Sequence, residues 1–302
     1  MCFGGYFCKV LILKELRKIT VIGLGLLGSS ATLAILRAFP KVRVVGYSHR
    51  ASTRQKARDL AVATEVVDDI KLSVTDSDLV ILATPIRTFE DIFIEIGPAL
   101  SKGCIVTDVG STKVLAHRWA AKRLGRGVHY VGSHPIAGSE QRGIEFSRDD
   151  LFYGAACILT ATKTTDQESQ CVLRNFWSEL GCVVETMTPQ LHDRIFSDIS
   201  HIPHVVAAAL INAGDDETLK FAGKGFIDTS RIASGPANIW TDVLMTNTKN
   251  IGSGIDRVIA ELLKLKKAVA GADEKQICSL LEKARSKRAA LIKHKFEKKE
   301  LL

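Results

Sequence analysis

Between Lys18 and about Glu185 the chain alternates short β-branched runs with amphipathic stretches of helical length, and this alternation limits its fold more than any other feature. The runs are KITVIG (18–23), VRVVGY (42–47), DLVILAT (78–84), CIVTDV (104–109), HYVGS (129–133), AACILT (155–160) and CVVET (182–186). Their successive positions are apolar, so both faces need cover, and the stretches between them are long enough to be crossover helices. The expected fold is α/β, a doubly wound and mostly parallel sheet of Rossmann type. After Pro189 the alternation stops and the pattern becomes helical to the end of the chain. The expected organisation is a tail over residues 1–17, a sheet domain over 18–187 and an all-α domain over 188–302. Apolar faces such as IDRVIAELLKLKKAVA exceed what a small bundle buries, and a homodimer interface is their expected use.

Composition excludes several classes. With 302 residues, 46% apolar and 25% charged, the chain can bury a core in each domain and has no disordered composition. No apolar stretch of about eighteen residues stands out, and the N-terminal segment lacks the basic lead-in and cleavage site of a secretory signal, so a cytoplasmic protein is expected. Seven cysteines at positions 2, 8, 104, 157, 171, 182 and 278 contain no C-x-x-C pair, which speaks for reduced thiols. The net charge is +8, but residues 281–302 hold eight Lys or Arg against three Glu, a net +5. The body is therefore only mildly basic, which suits small anionic ligands and not a nucleic-acid partner.

The first strand run leads into Gly23-Leu24-Gly25-Leu26-Leu27-Gly28 and then a helix. In that context Gly23 permits a tight turn, Gly25 a close approach by pyrophosphate and Gly28 close helix packing, with the helix start at Leu26 and Leu27 receiving the phosphate. The sheet domain is accordingly expected to bind a dinucleotide. An NAD site usually places a carboxylate after the second strand, but here Ser48-His49-Arg50-Ala51-Ser52-Thr53-Arg54 follows. Hydroxyls of Ser48 and Thr53, His49 and the guanidiniums suit a 2′-phosphate, so NADP is favoured and NAD stays open.

Three strand ends should converge on the cofactor's reactive ring: Thr84-Pro85, Asp108 to Lys113, and Ser133-His134-Pro135. A histidine held by proline on a glycine-flanked turn, GSHPIAGSE (132–140), is suited to proton transfer near neutrality. Ser111 at the neighbouring strand end is placed to bond to it or to a substrate. His201 and His204 lie three apart on one helical face, but no third ligand stands near them and no metal site is expected. His49 aside, His117, His129 and His192 read as structural or solvated.

DVGSTK, GSHPIAGSE, SHIPH and GFIDTSRIASGPANIW together resemble the prephenate and arogenate dehydrogenase family, from about Lys18 to about Asn250. The resemblance implies a dinucleotide-binding domain followed by a helical dimerisation domain, and oxidative decarboxylation of a cyclohexadienol with prephenate or arogenate as substrate. It puts the family's catalytic histidine on His134 and the serine that contacts the substrate hydroxyl on Ser111. It puts substrate binding on His204 and on Arg231 as carboxylate anchor, with Asp228, Trp240 and Ser139 in support. An acidic residue near the arogenate ammonium would set substrate choice, and Asp228, Glu140 and Asp242 are candidates.

Two other readings stand beside this one. A hydroxy-acid dehydrogenase of the same two-domain plan usually uses a lysine in the first long helix of the helical domain, and QLHDRIFSDISHIPHVVAAALIN contains none. A non-catalytic NAD(P)-sensing regulator would use the basic tail on nucleic acid, and that tail lacks interleaved aromatics beyond Phe296 and any recognition module.

Overall fold

The computed structural model describes residues 16–137 and 141–297. Six strands form a parallel sheet: β1 (Lys18–Ile22), β2 (Arg43–Tyr47), β3 (Glu65–Val66), β4 (Leu79–Leu82), β5 (Ile105–Asp108) and β6 (His129–Tyr130). Their spatial order, β3-β2-β1-β4-β5-β6, reverses beside β1, which puts the switch point between β1 and β4. Alternation along the strands divides the core. Ile19, Val21, Leu79 and Ile81 face one way, against Ala31, Ala34 and Ile35 of α1 (Leu26–Ala38). Ile22, Val80, Leu82 and Val106 face the other way, against Phe89, Phe93 and Ile96. Each fully buried side chain of this size contributes roughly 1.5–3 kcal/mol of burial free energy.

The later runs do not join this sheet as the sequence led us to expect. β7 (Gly132–Pro135), β8 (Ala156–Thr160) and β9 (Val183–Met187) form a second sheet, with β7 antiparallel and β9 parallel to β8. The run HYVGS is therefore split at Val131, and His134 lies within β7, paired opposite Ile158, and not on a turn. The cause is Ser133. Its Oγ shares a hydrogen bond with Thr107 Oγ1 at 2.7 Å and accepts one from the Trp177 indole at 3.0 Å, which pins that side chain inward. Strand alternation then sends His134 to the opposite face.

The remaining sheet-domain helices are α2 (Ala51–Asp59), α3 (Ile70–Val74), α4 (Phe89–Ile96), α5 (Val114–Arg123) and α6 (Gln167–Glu179). Then come α7 (Pro189–Phe196), one turn of π-helix over Ser197–His201, α8 (Ile202–Ala213), α9 (Asp216–Leu219), α10 (Lys224–Ser230) and α11 (Ala237–Thr246). Proline explains the wide turn: Pro203 has no N–H for the carbonyl four residues back and its ring crowds that carbonyl. The run Pro189–Ala213 is long and apolar enough, by length and composition, to cross a membrane, which the sequence reading did not find. It also carries Asp193, Arg194, Asp198 and four of its residues, His192, Asp193, His201 and His204, are buried in the site described below.

The chain divides into two compact units, Met1–Thr248 and Lys249–Leu302, so the change from sheet to helix near residue 187 is not where compactness breaks. Polar contacts bind α7 and α11 to the sheet domain: Thr246 Oγ1 lies 2.8 Å from Thr112 Oγ1, and the Asp193 carboxylate accepts the Lys113 N–H at 2.7 Å. The second unit consists of α12 (Thr248–Ala270) and α13 (Glu274–Glu297), with Ile259, Leu262, Leu263, Leu281 and Leu291 exposed along them.

Candidate active site

The turn from β1 into α1 has the geometry of an anion cradle. Gly23 has φ +103°, and a Cβ there would lie 2.5 Å from the Ala83 carbonyl oxygen; a Cβ on Gly28 would lie 1.8 Å from the Gly23 carbonyl oxygen. Only glycine fits either place. Gly25 is the opposite case, exposed and with nothing within 4 Å of an added Cβ. As N-cap of α1 it supplies no side-chain acceptor, and the first turn holds no acid, so the N–H groups beyond it and the positive end of the helix are left for a bound anion. Leu26 and Leu27 are half-buried and anchor this turn to the core. Open space over an uncapped helix start fits a dinucleotide pyrophosphate. Beside it Thr84 Oγ1 lies 2.8 Å from Thr88 Oγ1, and Thr88 donates to the Pro85 carbonyl at 2.7 Å, which shapes the loop after β4.

At the far end of the cradle Ser48 is buried, His49 and Arg50 are exposed and Thr53 is half-buried. The two arginines part company here. Arg54 donates to Asp68 Oδ1 at 2.5 Å, to the Ser48 carbonyl at 2.6 Å and to the His49 carbonyl at 3.1 Å, and its guanidinium lies 5.9 Å over the Tyr47 ring. Through these bonds it ties the loop after β2 to Asp68. Arg50, the N-cap of α2, keeps its exposed position at a helix start.

His134 joins a chain of polar groups that sequence reasoning missed. Its Nδ1 lies 2.9 Å from His192 Nε2, and His192 Nδ1 lies 2.9 Å from Asp193 Oδ1. Asp193 also accepts the backbone N–H groups of Lys113 (2.7 Å, Oδ1) and Val114 (2.9 Å, Oδ2), and the Asn247 amide donates to its carbonyl at 2.7 Å. Phe196 covers both imidazoles, 4.8 Å from His134 and 4.4 Å from His192 between ring centroids. Ser111 is half-buried in the loop after β5, and among the described residues the His134 ring is hydrogen-bonded to His192 and not to Ser111. Burial holds His134 well below the ordinary histidine range, and the charges of its neighbours His192, Lys113 and His201 press the same way. The ring is neutral at pH 7 and able to take a proton.

Beneath this chain lies a buried ion pair. Lys113 and Asp108 are both fully buried and bonded to one another; Lys113 Nζ also donates to the Ser133 carbonyl at 2.6 Å, one residue before His134. Tyr130 Oη donates to Asp108 Oδ2 at 2.6 Å and the Gly110 N–H to Oδ1 at 2.7 Å. The pair thus ties the loop carrying Ser111 to the strand carrying His134.

On α8 and α11, His204 and Trp240 stack face to face with ring centroids 3.6 Å apart and planes 8° apart. His204 Nδ1 is buried without a partner, an orphaned polar atom of the kind found where a ligand binds. His201 takes a different role, with Nδ1 3.2 Å from the Asn247 amide. Arg231 and Asp228 are exposed at the end of α10, and Asp242 pairs with Arg87 at 3.6 Å. Ser139 and Glu140 lie outside the described residues.

The buried rings predict acid sensitivity. Burial lowers His117 and His201 from an ordinary 6.5 to about 4 and His192 to about 2. Each is neutral in the fold, whereas the unfolded chain takes up a proton below pH 6.5, so stability falls as the pH drops from about 6.5 through 4. Each ring costs about 3 kcal/mol by pH 4. The melting temperature should decline steeply between pH 6 and 4; a flat profile across that interval would show that these rings titrate normally.

Comparison with known proteins identifies the family. Residues 31–186 match the family model described as prephenate dehydrogenase, nucleotide-binding domain, and residues 188–283 match prephenate dehydrogenase, dimerization domain. The chain belongs to the prephenate dehydrogenase family. It is 32% identical over 282 residues to the cyclohexadienyl dehydrogenase of Zymomonas mobilis, covering 91% of this chain and 96% of that protein. Prephenate dehydrogenase of Aquifex aeolicus, solved with hydroxyphenyl propionate and NAD+, is 33% identical with a TM-score of 0.84, covering 92% of this chain and 99% of that one. Arogenate dehydrogenase of Synechocystis is 30% identical with a TM-score of 0.78, covering 91% and 100%. Membership makes this chain a dehydrogenase with a nicotinamide nucleotide-binding domain and a small-molecule substrate.

Proposed function

We propose that this dehydrogenase oxidatively decarboxylates prephenate, arogenate or both, giving 4-hydroxyphenylpyruvate or tyrosine, with NADP preferred over NAD. The observation that carries the reading is the neutral His134 ring, held by His192 on a strand joined through Ser133 to the end of β5. When bound, the nicotinamide supplies a hydride acceptor for the hydrogen on ring C4. His134 takes the proton of the C4 hydroxyl as that oxygen becomes a carbonyl; the electron pair of the bond broken as carbon dioxide leaves aromatises the ring to a phenolate, which takes the proton back from His134, and aromatisation drives the step. Ser111 orients the hydroxyl. His204, with its orphaned Nδ1 and its Trp240 stack, and Arg231, with Asp228 and Ser139 in support, receive the anionic substrate, for which a guanidinium is the fitting partner. A dimer through the exposed apolar faces of α12 and α13 completes the reading.

With ring-carboxylate-labelled substrate, one labelled carbon dioxide should appear for each nicotinamide reduced. Reduction without label release would point to simple alcohol oxidation and refute the decarboxylating step.

The preference for NADP is supported by Ser48 in place of a carboxylate and by exposed Arg50 at the α2 start. Losing one charge-assisted contact to the 2′-phosphate is worth roughly ten- to hundredfold, so Arg50→Ala should raise KM for NADP by that factor and leave KM for NAD unchanged. Equal effects on both cofactors would remove Arg50 from the specificity site.

A further inference from the structure

We propose that His192 and Asp193 are positioning residues that fix the tautomer of His134, placing its proton on Nδ1 and leaving the Nε2 lone pair for the substrate. The inference rests on the reading of His134 as proton acceptor, but its evidence is the geometry of donors and acceptors. Backbone N–H groups can only donate, so both Asp193 oxygens, facing the Lys113 and Val114 amides at 2.7 and 2.9 Å, are acceptors, contacts that favour the ionised carboxylate. His192 Nδ1, 2.9 Å from the same Oδ1, must then be the donor. A neutral His192 with its proton on Nδ1 offers only a lone pair at Nε2, so the contact at 2.9 Å to His134 Nδ1 requires a proton on that atom. The reverse order would need a proton on Asp193 Oδ1 and would give up the negative charge that the Lys113 and Val114 N–H groups stabilise.

The relay is rigid and dry. His192 is fully buried and stacked on Phe196, Asp193 is held from two sides by α5 backbone, and Asn247 clamps its carbonyl. None of these groups changes its covalent state in the reaction. The substrate hydroxyl proton goes to Nε2, and the imidazolium so formed is stabilised by the Asp193 charge transmitted through the neutral ring of His192.

Nitrogen-15 NMR of histidine-labelled protein without substrate reads the tautomer directly, with the His134 ring identified by its loss in His134→Asn. A proton on Nδ1 with a free Nε2 is expected; a proton on Nε2 overturns the proposal whether or not any substrate turns over. Asp193→Ala removes the acceptor that holds the proton on His192 Nδ1, so His134 should lose its fixed Nδ1 tautomer and populate the Nε2-protonated form, and kcat should fall by roughly 10²- to 10⁴-fold, with KM and the NADP dissociation constant within about threefold. An unchanged tautomer or wild-type kcat in that variant overturns it. Should Asp193→Ala fail to fold, the wild-type spectrum and a second pair of variants decide: His192→Gln, which keeps an acceptor at the Nε2 place, should retain more turnover than His192→Leu, and equal losses would mean that the ring only fills space.

Discussion

Replacing His134 with Asn should lower kcat by roughly two to four powers of ten while leaving cofactor affinity intact. Asn preserves size and a donor toward His192 Nε2 but has no nitrogen that takes a proton, so the hydroxyl of the substrate would have to lose its proton to water. Cofactor contacts lie at the Gly23–Gly28 turn and the α2 start, which this change does not touch. Turnover measured at saturating substrate, beside a fluorescence titration with reduced nucleotide, separates the two effects. Because burial holds the His134 ring well below the usual histidine range, the acid limb of the wild-type kcat profile should also fall below pH 6.5. Near-normal turnover in the variant would end the assignment.

The second large effect concerns stability. Asp108→Ala leaves Lys113 as an unpaired, fully buried ammonium and strips the Tyr130 hydroxyl and the Gly110 N–H of their acceptor. Breaking one side of a buried pair costs about 3–5 kcal/mol. For a chain of this size that corresponds to a drop of roughly 10 °C in melting temperature. The double variant Asp108→Leu with Lys113→Met removes both charges and should be more stable than the single one. If Asp108→Ala melts with the wild type, the pair does not hold the two loops together.

The parallel sheet and its glycine turn could be read from the sequence because they rest on local pattern: strands buried on both faces, a turn that only glycine permits, and helices between. The second sheet could not. HYVGS is one continuous β-branched run, and what divides it at Val131 is a tertiary contact, Ser133 against Thr107 and Trp177. Nor could the bond from Arg54 to Asp68 be read, because nothing in the arginine's own segment shows a carboxylate fourteen residues on.

The most informative residues were hidden in plain periodicity. The buried stripe of α7 is Pro189, His192, Asp193 and Phe196, the spacing of an ordinary amphipathic helix. The signal was present, since a His-Asp pair occupied stripe positions where apolar residues belong, but its partners, His134 and the Lys113 and Val114 amides, lie 58 to 80 residues away in the chain. Periodicity shows which face is buried; only the fold shows what that face meets.

The central claim is that this chain couples nicotinamide reduction to aromatisation of a cyclohexadienol. Its most direct test is the initial rate of nicotinamide reduction by purified protein with prephenate or arogenate and NAD or NADP, in all four pairings. Turnover in at least one pairing, faster with NADP than with NAD for the same substrate, is the predicted result. No reduction in any of the four, from protein that still binds the nucleotide, would contradict it.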